Sequence, residues 1–296
     1  MYQQEPVSFN LDWKVPCVIY FARRNITKLY DLKVTNPITS EVLYATSSLV
    51  NTPRRMNMMF MPLDEGEKLS ACSVVGIDAE FVTLNQEEAE LRSDGTRSTI
   101  KPSQMSVARI SVVRGKGELM GEPFIDDYIS TSEQVVDYLT QFSGIQPGDL
   151  DAAISSKHLT TLKATYLKLR HLADAGVIFV GHGLKKDFRV INMIVAKEQV
   201  TDTVDLFHLP RQRRISLKFL AWYFLGINIQ STSHDSIEDA RTALKLYHKY
   251  KELIAEGKEV QAAIKEMYEK GRALQWKIPE EDTDQSQGSV AKKDII

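Results

Sequence analysis

Three β-branched-rich runs follow one another along this chain: VVGIDAEFVTL (74–84), SVARISVVR (106–114) and PFIDDYI (123–129). Each reads as a strand. Downstream the pattern changes to alternating helix and strand signals. A helix is predicted with Ser132 as its N-cap and Ser143-Gly144 as its stop. A second helix covers Lys157–Ala173, with Leu159, Leu162, Tyr166 and Leu169 on one face and Gly176 at its end. VIFVGH (177–182) is a short buried strand running through Gly183 into a helix over Leu184–Val195. TVDLFHL (203–209) reads as another strand, Ser216–Leu225 as a helix stopped by Gly226, and a long helix opens near Ser236 and passes Tyr250. Consecutive strands followed by alternation call for an α/β fold whose mixed sheet is antiparallel at first and parallel later, with helices packed on it.

Among common folds, that order suits the ribonuclease-H-like architecture. The regular pattern begins near residue 71 and runs to 278, which is the expected catalytic domain. Residues 1–70 hold short extended stretches, Pro16–Phe21 and Val42–Ala45, broken by turn signals at Asn36-Pro37 and Asn51-Thr52-Pro53. They are too few to close a core alone and suit a docking edge or the remnant of a larger domain, with Arg54–Ser70 as linker. A polar loop with Gly and Pro separates the first two strands of the sheet, and the acidic tail 279–296 is expected to be disordered.

Composition removes several classes of function. The chain has 296 residues and a formal charge of −2, so no global basic field attracts nucleic acid. Any phosphate-binding site must be local, with metal ions supplying positive charge. Two cysteines, Cys17 and Cys72, are too few for a disulfide framework or a thiolate zinc site. The start, MYQQEPVSFNLDW, lacks the basic and apolar regions of a secretory signal, and no apolar run approaches the ~18 residues of a membrane span. A soluble intracellular protein is expected.

Three signals carry chemistry. Asp78-Ala79-Glu80 places two carboxylates on one face of an otherwise buried-type strand. Such a pair repels unless a cation sits between, and Mg²⁺ or Mn²⁺ prefers oxygen ligands; a solvent-facing pair on an edge strand is the plain alternative. Asp187, in GHGLKKDF, opens a helix, where it could equally complement the helix dipole. In His234-Asp235-Ser236-Ile237-Glu238-Asp239, Ser236 can cap a helix with Asp239 reaching back, which would account for Asp239 alone. His234, just ahead of that helix, is free to act as a general base. His182 reads as well as a core histidine.

The order of these signals, a strand D-x-E, G-H-x4-D opening a helix and H-x4-D opening the long helix, resembles the DEDDh 3′→5′ exonuclease superfamily. GIDAEFVTLN, KPSQMSVARI, PFIDDYI, VVDYLTQFSGI, FVGHGLKKDFRVIN, ISLKFLAWYFL and SHDSIEDARTAL together are similar to the family of catalytic subunits of Pan poly(A)-specific deadenylases, over nearly the whole chain. Residues 12–50 resemble the end of the ubiquitin-hydrolase-like domain that precedes the nuclease in that family. The resemblance implies a hydrolase that shortens mRNA poly(A) tails with two Mg²⁺ ions (Mn²⁺ substituting) and releases 5′-AMP. It also implies that Asp78 bridges the ions, that Glu80 and Asp239 complete the nucleophile-side metal, that Asp187 supports the second, and that His234 deprotonates the water. Partners implied are poly(A) RNA, a kinase-like regulatory subunit and poly(A)-binding protein, in the cytoplasm and its RNA-processing bodies with some nuclear presence. Substrate contacts are weakly marked. Lys185, Lys186 and Arg189 could touch phosphates or form a solvated face; Phe81 and Phe188 could stack on bases or belong to the core. Arg211-Gln212-Arg213-Arg214 reads first as a solvated loop.

Overall fold

The computed structural model describes residues 37–50, 58–64, 66–86, 88–91, 93–101, 104–230, 233–257 and 259–279, together with Asn25. The backbone separates into compact units 1–37 and 38–296, and the second is described here. The expected strand Pro16–Phe21, the turn at residues 51–53 and all but the first residue of the 279–296 tail lie outside the described residues.

One six-stranded sheet organises the unit. Its strands are β1 (Val74–Asn85), β4 (Gln104–Arg114), β5 (Pro123–Ile129), β6 (Leu159–Thr160), β7 (Ile178–Gly181) and β8 (Val200–Asp202). They lie in the order β6-β5-β4-β1-β7-β8. β1, β4 and β5 are antiparallel; β6, β7 and β8 each join in parallel. The mixed sheet expected from the sequence, flanked by helices, is therefore present. Helices α3 (Leu162–Asp174) and α4 (Leu184–Ile191) pack on one face, where Val75, Ile77, Ala79 and Phe81 meet Leu169, Leu172 and Leu184. Full burial of each such Val, Ile, Leu or Phe side chain contributes about 1.5–3 kcal/mol. The other face carries α7 (Ser236–Ala255), whose Ile237, Ala240 and Leu244 pack on Val113 and Val180. A further helix, α8 (Val260–Ala273), closes a second core with Phe207, Phe219 and Leu246. Among the described residues, no helix is long and apolar enough to cross a membrane.

The β1–β4 ladder contains a one-residue irregularity at the centre of the sheet. Glu80 opposes Arg109 but Phe81 opposes Val107, leaving Ala108 as the extra residue of a bulge. The bulge exchanges the faces of β4: Val107 packs in the core with Phe81, whereas Arg109, Ser111 and Val113 oppose Glu80, Asp78 and Gly76 on the α7 side.

Several local expectations are corrected. Val42–Ala45 is not extended: Glu41–Tyr44 forms a short helix, α1, with Leu43 buried in the core. The loop after β1 holds a hairpin, β2 (Glu88–Leu91) and β3 (Arg97–Lys101). Ser132 caps no helix. The backbone there pairs instead with Thr83, which bonds to both Val136 and Asp137, so only α2 (Thr140–Ser143) forms before Gly144 at φ 66°. The next helix begins at Leu162 rather than Lys157, because Leu159 and Thr160 pair with β5 and Thr161 supplies the cap. TVDLFHL is not a strand: Asp202 caps a short helix, α5 (Thr203–Leu206). The helix expected over 184–195 ends at Ile191, where Asn192 turns left-handed at φ 59°. Ser216 does cap α6 (Leu217–Leu220), which continues as a π turn through Leu225 to Gly226.

Where described, the stretch expected as a linker is fastened to the sheet. Phe60 and Leu63 are buried, and the Met61 amide donates to Pro123 O at 2.9 Å. Arg114 reaches back to Glu67 Oε2 at 2.7 Å and to the Met61 carbonyl at 3.0 Å.

Candidate metal centre

Strand alternation aims the first two carboxylates. Val75, Ile77, Ala79 and Phe81 point under α3 and α4, so Gly76, Asp78 and Glu80 point toward α7. Gly76 lets that helix approach: a Cβ there would lie 2.8 Å from the Ala240 backbone oxygen and 2.7 Å from Val113. Asp239, next to Ala240, is thereby carried to β1. Oxygens of Asp78, Glu80 and Asp239 all lie within 4.8 Å of one another.

The cluster is electrostatically unfinished. Glu80 Oε1 and Asp239 Oδ1 are buried and have no hydrogen-bond donor among the described residues. Burial, reinforced by Glu80, Asp187 and Asp239, pushes the Asp78 carboxyl well above the usual carboxylate range. Glu80 is pushed up to about 8, by burial first and Asp239 next, with Arg109 pulling the other way. An orphaned buried oxygen and a raised carboxylate are both penalties, and a hard divalent cation removes both at once. The residues present fit such an ion.

Asp187 lies in the first turn of α4 and lines the same cavity of about 560 Å³, outside the tight group of three. Burial pushes it up to about 7, against the pull of Lys186. The turn that delivers it is tightly built. Gly183 is left-handed at φ 88°, and Asp202 accepts from the Gly183 and Leu184 amides, each at 2.9 Å. A Cβ on Gly181 would sit 2.7 Å from Ile77 O. His182 lines the cavity with Nδ1 2.9 Å from Thr203 Oγ1, and burial lowers its pKa, holding the ring neutral.

His234 stands at the cavity with Nδ1 3.5 Å from Asp239 Oδ2 and its ring edge-on to Phe142. Gly144 admits the chain here, because a Cβ would lie 2.6 Å from His234 O. The capping box expected at Ser236 is not formed. Asp235 is the cap, taking the Ile237 and Glu238 amides at 3.0 Å each, which releases Asp239 to face the cavity. Ser236 is instead buried against Ser111, Oγ to Oγ 2.6 Å.

Of the expected substrate contacts, Phe81 and Lys186 line the cavity, with the Lys186 ammonium 5.0 Å from the Phe81 ring centroid. Phe188 is not brought there. One helical step past Asp187 turns it into the core, edge-on to Phe179 at 5.7 Å. Lys185 and Arg189 are exposed. In the arginine run, all four residues are exposed and Arg213 stacks over Trp276.

Three residues went unread in the sequence. Gln230 donates through Nε2 to Asp239 Oδ2 at 2.8 Å, while its own carbonyl is held by Lys218 at 2.9 Å. Arg109 braces the start of α7 through Asp235 at 3.0 Å. Neither sits in a spacing pattern that could flag it. Asp202 could have been found as a polar cap ahead of TVDL.

The family model described as Exonuclease (RNase_T) matches residues 75–247, a span holding all five residues above that the sequence marks as catalytic. The chain belongs to the exonuclease family. Among relatives of this exonuclease chain, it is 64% identical over 285 residues to the PAN2-PAN3 deadenylation complex catalytic subunit PAN2 of Gallus gallus, covering 95% of this chain and 24% of that protein. Identity to the Homo sapiens catalytic subunit PAN2 is 61% over 292 residues, 98% of this chain and 24% of that one. The solved Saccharomyces cerevisiae apo Pan2 pseudoubiquitin hydrolase-RNA exonuclease module in complex with AACCAA RNA superposes with a TM-score of 0.75 at 40% identity, covering 83% of this chain and 38% of that chain. The chain spans about a quarter of the length of the curated relatives it matches.

Proposed function

We propose that this chain is the nuclease part of a poly(A)-shortening enzyme, a 3′→5′ exoribonuclease that hydrolyses adenylated RNA to 5′-AMP. The observation that carries the reading is the Asp78–Glu80–Asp239 cluster, whose buried oxygens Glu80 Oε1 and Asp239 Oδ1 lack donors among the described residues, with His234 beside it. Kinship to deadenylation subunits supports poly(A) as substrate. Asp78, Glu80 and Asp239 would hold one Mg²⁺, and Asp187 with Asp78 a second, with Mn²⁺ able to substitute. Two such ions supply Lewis-acid stabilisation of the entering and leaving oxygens in phosphodiester hydrolysis.

The chain's own residues do the rest. His234 accepts the proton of the attacking water and is held in register by the short connection from Asp235 to α7. Lys186, exposed at the cavity, neutralises phosphate charge. The neutral His182 adds a polar wall without repelling the ions. By kinship, the partners are a kinase-like PAN3 subunit and poly(A)-binding protein, and the setting is cytoplasmic. A ubiquitin-hydrolase-like origin for residues 1–70 belongs to the same reading.

The test is 5′-labelled adenylated RNA incubated with the chain and Mg²⁺, then with EDTA, beside poly(U) and single-stranded DNA. A ladder shortening from the 3′ end, releasing 5′-AMP and stopped by EDTA, is expected. Equal rates on DNA would overturn the RNA assignment, and internal cuts would overturn the polarity.

A further inference from the structure

Arg109 opposes Glu80 across the β1–β4 ladder, yet its guanidinium is spent elsewhere. Nε donates to Asp126 Oδ1 at 2.6 Å, Nη1 donates to Asp235 Oδ2 at 3.0 Å, and the group lies 5.0 Å from the Tyr128 ring centroid. The residue is 5% exposed. A buried guanidinium is costly unless it is paired and hydrogen-bonded, and here two carboxylates on different elements share it. Asp235 divides its oxygens: Oδ1 caps α7 through the Ile237 and Glu238 amides, and Oδ2 takes Arg109. One residue pair farther along β4, Ser111 Oγ donates to Asp126 Oδ1 at 2.8 Å and meets Ser236 Oγ at 2.6 Å.

Residues 235 and 236 are thus bolted to β4 and β5 from beneath. The two site residues of this segment flank the bolt, with His234 just before it and Asp239 one turn beyond. We infer that Arg109 is a positioning residue of the active site, acting through Asp235 to fix where His234 and Asp239 stand relative to Asp78 and Glu80. The inference rests on the metal-centre reading above. Its rival is a plain counter-charge, and chemistry separates the two. A lysine keeps the charge but is a point donor that cannot bridge two carboxylates with a planar fork.

The experiment uses the whole 296-residue chain and the variants Arg109→Lys, Arg109→Met, Asp235→Asn and Arg109→Lys/Asp235→Asn. Three quantities are measured: Mn²⁺ affinity by calorimetry, the His234 imidazole ¹⁵N resonances, and kcat and KM on oligo(A). For Arg109→Lys and Asp235→Asn alike, kcat should fall 10- to 50-fold with KM within threefold. Mn²⁺ affinity should weaken five- to tenfold and the His234 resonances should move. The double variant should be no more than twofold worse than the poorer single, because both act along one path. Asp235 is half-exposed, so Asp235→Asn keeps the test alive if an Arg109 variant does not fold. Native kcat and Mn²⁺ affinity in Arg109→Lys, with loss only in Arg109→Met, would overturn the inference in favour of a counter-charge. Multiplicative losses in the double variant would overturn it as well. A native chain that bound Mn²⁺ and left RNA intact would sink the nuclease reading alone, since affinity and resonances still report on Arg109.

Discussion

Two groups of buried carboxylates lie on strands of one sheet separated by a single strand, and have opposite fates. On β5, Asp127 is fully buried, but Lys168 donates to both its oxygens at 2.9 and 3.1 Å and Thr165 donates at 2.8 Å. His158 Nδ1 lies 3.2 Å away. Burial alone would raise this carboxyl, but the adjacent His158 ring, the Lys168 ammonium and the bonds from Lys168 and Thr165 outweigh it and hold the pKa below the usual value. On β1, Asp78 and Glu80 receive no such partners among the described residues; burial raises both, reinforced by Glu80 for Asp78 and by Asp239 for Glu80. The same side-chain chemistry is closed in one place and left open in the other. A fold can bury an acid for structure by completing its hydrogen bonds, and for function by withholding them.

The largest expected contrast is in activity. Asp78→Ala should reduce RNA hydrolysis at least ~10³-fold, about 4 kcal/mol of transition-state stabilisation. The melting temperature of the metal-free variant should be equal to or above that of the native chain, because a repelling charge is gone. Native turnover in the purified variant would break the comparison. Next, Asp127→Ala should destabilise the fold by about 3–5 kcal/mol, since it strands Lys168 in the core, while kcat per folded molecule stays native; denaturant titration and active-site counting report the two.

The open cluster also predicts the sign of a pH effect. Glu80 at about 8 in the fold keeps its proton where the unfolded chain, at 4.5, has released it. Stability of the metal-free chain should therefore fall as pH rises from about 5 to 8, by a few kcal/mol. Saturating Mg²⁺ should flatten that slope, as calorimetry with and without EDTA would show; an upward slope would contradict the assignment. The smallest effect is expected at Gln230. Gln230→Ala removes one donor to Asp239, about 1 kcal/mol, and should raise the Mg²⁺ concentration for half-maximal rate about fivefold.

Much of this was legible because it depends on short-range rules. Asp78 and Glu80 share a face by strand alternation, and Asp187 and Asp239 follow from residues that open helices. Errors arose where tertiary contacts overrode local preference. Ser132 lost its helix to the pairing of Thr83 with Val136 and Asp137, and Ser236 lost the cap to Asp235. Arg109 and Gln230 could not be read at all, because their partners lie across the sheet or behind a turn that no spacing encodes. Gln230 in particular reaches Asp239 from a left-handed backbone at φ 54°.

The extra residue at Ala108 has a consequence for how such a chain can vary. Odd-numbered positions of β4 face the core before it and the metal side after it. Deleting that one alanine would merely restore regular alternation, whereas deleting a paired neighbour such as Ile110 would act like a frameshift in three dimensions. Either Ser111 would rotate into the hydrocarbon core, or Arg109 would rotate into it and Val107 out of it, with every catalytic carboxylate still present in the sequence. Deletions at the paired positions of this strand should therefore be as lethal to the site as loss of an aspartate, although residue-by-residue inspection of the catalytic set would find nothing missing.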